Sequence, residues 1–296
     1  MKTRIIDLIK KTKYFTDNNI EIDDISKITE DKYRLKASDK EFELDLINTN
    51  EYLDLYSEIN YKKLKEIGAN PKHTYEIGLF PELNKTYILS EYRNEISLLE
   101  FLSANDKNSN YKLGVQMGEI LKNLHKQQPG DDIDWYKSFL TKANYLFYIH
   151  GVNEVGDKDY ILIDYINSNK HLTKNLKTSY LYQNLDYNHV FVTEDKTINL
   201  EGLDFNTIGD RVFDFPQINL IAITSEAFAK GLLDVYFNKS KPPIKFFRLL
   251  CLYQAYEILD SIVAIRAGKE SKLTTEEINA LLAMYDYFNQ DVPNWT

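Results

Sequence analysis

Cysteine is almost missing: one, Cys251, occurs in 296 residues. A disulfide framework is therefore excluded, and a reducing compartment is expected. The apolar setting of that residue, FFRLLCLYQAY, suits a buried structural thiol. Glycine is sparse as well, with eleven in the chain and none before Gly68. Loops that wrap phosphates with backbone N–H groups favour glycine for its unusual dihedrals and close approach. The loop SKITEDKY, between the first two expected strands, has no glycine and carries Glu30 and Asp31 besides. No apolar run reaches the 18 or so residues of a membrane-spanning helix, and MKTRIIDLIKKTKYF is too short and too interrupted by charge for a signal peptide. The expected location is the cytoplasm. Basic blocks are absent too: 36 Lys and Arg stand against 45 Asp and Glu, a net charge of −9. Nucleic acid and anionic membrane are thus poor partners, and an acidic surface favours a cationic ligand. No His/Cys cluster has zinc spacing, and no serine lies in a nucleophile elbow.

What is present is ordinary globular chemistry with abundant aromatic surface: 43% hydrophobic, 27% charged, 22 Tyr and 15 Phe. A chain of this length buries a substantial core without disulfides. Up to about residue 90, DKYRLKA and EFELDLI alternate apolar and polar residues with period two, as half-buried antiparallel strands do. EYLDLYSEINYKKLKEIG then spaces Leu55, Ile59 and Leu64 as a helix face and stops at Gly68. KTYILSEY resumes as a strand. From about residue 96 helices dominate, and YKLGVQMGEILKNLHKQQPG places Leu113, Met117, Ile120, Leu121 and Leu124 on one face. Further helices fit 135–149, 217–237, 243–267 and 275–289. In the last, Thr274 and Glu277 have capping-box spacing, and Ile278, Leu281, Leu282 and Tyr285 form a buried stripe. Two short strands, HVFV and TINLEGLDF, lie between them. No internal repeat or low-complexity segment interrupts this order.

YKLGVQMGEILKNLH, YQNLDYNHVFV, LDFNTIGDRVFDF and AFAKGLLDVYFN follow one another in the order and approximate spacing of the aminoglycoside phosphotransferase family, which the chain resembles from about residue 38 to 296. That family belongs to the wider group of kinase-like small-molecule phosphotransferases, and the terminal YDYFNQDVPNW also looks like its bacterial members. The resemblance implies an α+β, protein-kinase-like bilobal fold. A small antiparallel β lobe with one helix would span 1–92, and a larger helical lobe 93–296. It also implies transfer of the γ-phosphoryl of ATP or GTP to a hydroxyl, with magnesium between the phosphates. In such enzymes a Lys meets the phosphates, a Glu holds that Lys, an Asp serves the hydroxyl, and an Asn and a second Asp bind the metal.

Carried over residue by residue, several of these positions depart from the pattern. The family's loop reads His-Gly-Asp, four residues, then Asn and an apolar strand. Registered on VFV, it sets Tyr182, Gln183 and Asn184 on His-Gly-Asp and His189 on the metal Asn. Slipped by one, it sets Asn188 on the metal position and Gln183 on the Asp. Either register leaves an amide at the base position, and an amide accepts no proton at physiological pH. Asp186 is the nearest carboxylate, although Asp also favours such loops as a turn residue. Imidazole is a poor magnesium ligand. Asp204 in LDF corresponds to the second metal residue, while Asp214 anchors the loop in either reading. In the small lobe Asp45 takes the place of the phosphate-binding Lys, with Lys36 or Lys40 as counterparts in a shifted register. Glu58 is the matching helix acid, and Glu91 at the connector completes the nucleotide side.

Lys replaced by Asp45, Asp by Asn184 and Asn by His189 together imply a degenerate member that has lost ordinary phosphoryl transfer, binds a small molecule or a protein, and takes either ATP or GTP with magnesium or no cofactor. The alternative is an active ATP- or GTP-dependent phosphotransferase with Asp186 as base and Asp204 on the metal, acting on a small cationic substrate such as an aminoglycoside. Asp210, Glu226, Tyr285 and Asp286 are candidates to line an acidic substrate cleft.

Overall fold

The computed structural model describes residues 2–48, 53–130, 133–152, 156 and 159–296. In chain order the first elements are α1 (Lys2–Ile9), α2 (Lys13–Asp17), β1 (Asp24–Lys27), β2 (Lys32–Ala37), β3 (Lys40–Asn48), α3 (Glu58–Ile67), β4 (Thr74–Phe80), β5 (Lys85–Glu91) and β6 (Glu95–Ser97). There follow α4 (Leu98–Ala104), α5 (Lys107–Leu124), α6 (Trp135–Val152), α7 (Asp159–Asn169), β7 (Thr178–Tyr180), β8 (Val190–Thr193), β9 (Ile198–Leu200) and β10 (Ile208–Asp210). The chain closes with α8 (Ile218–Thr224), α9 (Glu226–Tyr236), α10 (Ile244–Arg266) and α11 (Thr275–Met284). Two compact units result: the chain up to Ile96 with Phe191–Asp204, and Ser97–Val190 with Phe205–Thr296.

In the first unit the alternating segments pair into one antiparallel sheet of order β1-β2-β3-β5-β4. Leu35, Ala37, Phe42, Leu44, Leu46 and Leu89 bury one face. The structure adds α1 and α2 to the single helix read from the sequence here. Ile5 and Ile9 of α1 and Phe15 of α2 join that same core, with the Phe15 ring edge-on to Phe42 at 5.2 Å. Two turns of helix carry too few apolar positions to declare a period by themselves.

Helix α3 begins with Ser57, whose hydroxyl accepts the Asn60 N–H, and ends at Gly68 with φ 94°, a left-handed cap that suits glycine. Its apolar face differs from the one read in the sequence. Leu64 is buried, but Ile59 is 70% exposed and Asn60 points inward in its stead. Leu55 lies in the 3-10 turn Leu53–Tyr56, so it is out of phase with a helix that starts only at Glu58.

In the second unit α5 and α9 pack backbone to backbone. A Cβ on Gly114 would stand 2.0 Å from the Phe228 carbonyl oxygen, and one on Gly231 would stand 2.2 Å from that of Tyr111. The segment 217–237 is two helices, α8 and α9, broken at Ser225, whose side chain caps α9 by accepting the Phe228 N–H. Helix α11 opens with the Thr274–Glu277 capping box and stops at Met284. Asp286, Tyr287 and Phe288 all have positive φ, which ends the helix short of residue 289. Cys251 is fully buried in α10, where burial pushes its thiol up. Helix α7 had no counterpart in the sequence reading. Among the described residues no helix is long and apolar enough to cross a membrane.

Candidate functional site

The first unit concentrates charge along β2 and β3. The antiparallel register sets Lys32 opposite Asp45, and its ammonium lies 3.4 Å from the Asp45 carboxylate and 3.2 Å from Glu43. Lys72, in the segment between α3 and β4, reaches Glu43 at 2.9 Å and Glu95 at 3.4 Å. Burial pushes the Asp45 carboxyl up to about 6 even against the pull of Lys32. Burial opposes the Lys32 and Lys72 ammonium groups, but the acids around them outweigh it and hold both above the usual lysine value. Glu201 adds a further negative field at Lys32. Two lysines thus share four carboxylates. One Glu95 oxygen is buried without a partner, and burial raises that carboxyl.

Neither Lys32 nor Lys72 was singled out in the sequence. Lys36 instead reaches Glu41 at 3.7 Å. Glu58 pairs with Lys62 on the exposed side of α3, 3.4 Å away, while Glu91 takes a hydrogen bond from Arg93 at 2.8 Å. Burial would raise Glu91, but Arg93 and the His73 N–H bring it below its ordinary value. The turn before Asp204 is secured by Asn60, whose side-chain amide donates to the Leu203 carbonyl at 2.9 Å.

The loop 181–189 belongs to the second unit and is held by Asp214. Its carboxylate accepts the Tyr182 and Gln183 N–H groups, each at 2.8 Å, and it contacts His125 Nε2 at 2.9 Å. His125 caps the end of α5 and meets Tyr236 through Nδ1. Gln183 has φ 56°, a left-handed conformation in which a side chain is strained. Asp186 faces its own loop. Its carboxylate accepts the Asn188 and His189 N–H groups, and both its oxygens lie within 3.0 Å of His189 Nδ1. Among the described residues no group of three or more His, Cys, Asp or Glu side chains is placed to hold a metal ion.

Behind Gln183 a cavity of about 50 Å³ is lined by Phe213, Tyr256, Glu257, Asp260 and Lys272. Burial raises both Glu257 and Asp260, opposed by Lys272. Glu257 also accepts hydrogen bonds from Gln217 and Gln254. The four acidic-cleft candidates do not come together. Asp210 lines one cavity and Glu226 another, Tyr285 is wholly buried, and the Asp210 carboxylate accepts the Tyr253 hydroxyl at 2.7 Å.

No known family profile matches the sequence, and no curated protein matches it. Solved structures do. A thermostable aminoglycoside phosphotransferase APH(4)-Ia variant, in ternary complex with AMP-PNP and hygromycin B, superposes with a TM-score of 0.66 at 11% identity, over 95% of this chain and 99% of that one. A fructosamine-3-kinase homologue from Haemophilus somnus gives 0.59 at 18% identity, over 91% and 95%. Choline kinase LicA from Streptococcus pneumoniae gives 0.54 at 12%, over 95% and 97%. The chain therefore has the kinase-like fold of small-molecule phosphotransferases.

Proposed function

We propose that this protein is a ligand-binding member of the kinase-like phosphotransferase fold whose phosphoryl-transfer chemistry is impaired, and that its ligand is a small cationic molecule. The observation that carries the reading is the state of the loop. Asn184 stands where a base belongs, and Asp186, the only carboxylate nearby in sequence, is taken up by His189 and two backbone N–H groups. The positive φ of Gln183 supports the register that sets it on the glycine of His-Gly-Asp, since glycine adopts that conformation without strain. Glu257 and Asp260 line the cavity beside Gln183, facing Lys272, and the net charge of −9 favours a cationic ligand.

The residues present are a poor fit to magnesium and to nucleotide phosphates. The cluster around Asp45 sets two lysines against four carboxylates, and like charge repels phosphate. His189 turns its Nδ1 to Asp186, and imidazole is a soft choice for magnesium. A second reading, an active phosphotransferase, is favoured by one observation: Lys32 and Lys72 restore cations close to the place that Asp45 occupies.

The test is transfer of radiolabelled γ-phosphate from ATP and from GTP to a panel of aminoglycosides, choline and fructosamines, with and without magnesium. No transfer is expected. Magnesium-dependent transfer that Asp204→Ala abolishes would overturn impairment. Melting temperature is measured alongside, because a ligand of the native state raises it. Amines are expected to raise it, with loss of the shift in Glu257→Gln/Asp260→Asn.

A further inference from the structure

The protein is acidic, yet one cavity of the second unit is basic. It measures about 310 Å³ and takes Lys126 from beyond α5, Lys177 from ahead of β7, Arg211 after β10 and Lys245 in the first turn of α10. In this unit the ion pairs of the described residues involve His125, Lys137, His150, His189, Arg248 and Arg266, and none of those four cations. Three titratable groups besides them face the space, His125, Tyr236 and Asp210, the last drawn electrostatically to Arg211. His125 is held between Asp214 and Tyr236, and the Asp210 carboxylate is occupied by Tyr253.

Two further features independent of the lysines point the same way. Helix α10 is 23 residues long and starts at the cavity with Pro243 as N-cap, which supplies no side-chain acceptor. Its first N–H groups and its dipole therefore favour an anion. Ser179, 3% exposed, also lines the cavity, and its buried hydroxyl has no hydrogen-bond partner. A hydroxyl left so is costly unless something accepts from it.

We propose that this cavity is a binding site for a small phosphomonoester or free phosphate, separate from the acidic pocket beside Gln183. Four cations from four segments, a helix start and an unpaired hydroxyl match a dianion with several acceptor oxygens. The volume admits a metabolite of sugar-phosphate size.

Calorimetric titration of the full chain with inorganic phosphate, glucose 6-phosphate and glucose, at constant ionic strength, tests the site. Phosphate or its ester is expected to bind and glucose not. Lys177→Gln/Lys245→Gln, both exposed positions, should weaken binding at least about tenfold, while Lys269→Gln, an exposed lysine outside the cavity, should leave it unchanged. Ser179→Ala should weaken binding without lowering the melting temperature, which a purely structural serine would not do. Equal affinity in wild type and the double variant, or no heat with either anion up to about 10 mM, would overturn the proposal.

Discussion

Lys32 and Asp45 face each other across neighbouring strands, ammonium to carboxylate at 3.4 Å. A lysine expected on one strand by resemblance is thus met by a lysine on the next, with an acid in the original place. Because Glu43 and Lys72 continue the pattern, each lysine here is held by carboxylates of the protein itself, which outnumber the lysines.

Removing the cation should expose that dependence. Lys32→Met leaves Asp45 and part of Glu43 uncompensated at positions only 21% and 6% exposed. The expected loss in urea unfolding lies between the roughly 0–1 kcal/mol of a surface pair and the roughly 3–5 kcal/mol of a fully buried one. Lys32→Met/Asp45→Leu should recover most of it. A double variant no better than the single one would mean that Asp45 is not the partner that matters.

The Asp45 carboxyl, raised from 3.8 to about 6 by burial, carries its own pH signature. Between those values the folded chain holds a proton that the unfolded chain has released. Its contribution to stability is therefore complete below the unfolded value and is lost as pH climbs toward 6. Unfolding free energy of wild type minus Asp45→Asn should fall across pH 4 to 6, with a slope approaching about 1.4 kcal/mol per pH unit. A flat difference over that range would remove the assignment.

Glycine in a helix ordinarily costs roughly 0.5–1 kcal/mol relative to alanine. At Gly231 the sign should reverse, since a Cβ would meet the Tyr111 carbonyl oxygen at 2.2 Å and backbone cannot yield as a side-chain tip does. Gly231→Ala is expected to lower stability by about 1–3 kcal/mol, and Gly151→Ala, with open space around it, should not. Thermal denaturation of the two variants gives the comparison.

Restoring the loop distinguishes an impaired site from a rearranged one. A positioned base contributes about 10² to 10⁴ in rate, so Asn184→Asp/His189→Asn should raise phosphoryl transfer from an impaired protein, if only by part of that factor. A drop from measurable wild-type turnover would instead show that the present loop is the working one.

Much of the fold was legible because its signals are local. Period-two alternation marked β2 and β3, KTYILSEY was read as the strand that is β5, and the stripe from Leu113 to Leu124 marked α5 and is buried as read. Helix α3 shows where such reading fails: a cap at Ser57 and a preceding turn shifted the phase, exposing Ile59 and burying Asn60. The candidate site was legible only as residue types. The amide at 184 and the acid at 45 are plain in the chain, but that Asp186 is occupied by His189 is a matter of side-chain direction.

The sequence by itself determined composition, strand and helix periods, the capping box at Thr274, and the residue types, an amide at 184 and an acid at 45, at positions that the family resemblance makes catalytic. Tertiary structure alone decided that Lys32 answers Asp45, that Asn60 holds the Leu203 carbonyl 143 residues away, and that four lysine and arginine side chains from separate segments converge on one cavity. A local period tells a residue which face it occupies, whereas its partner is chosen by sheet register and by helices packing over long separations in the chain.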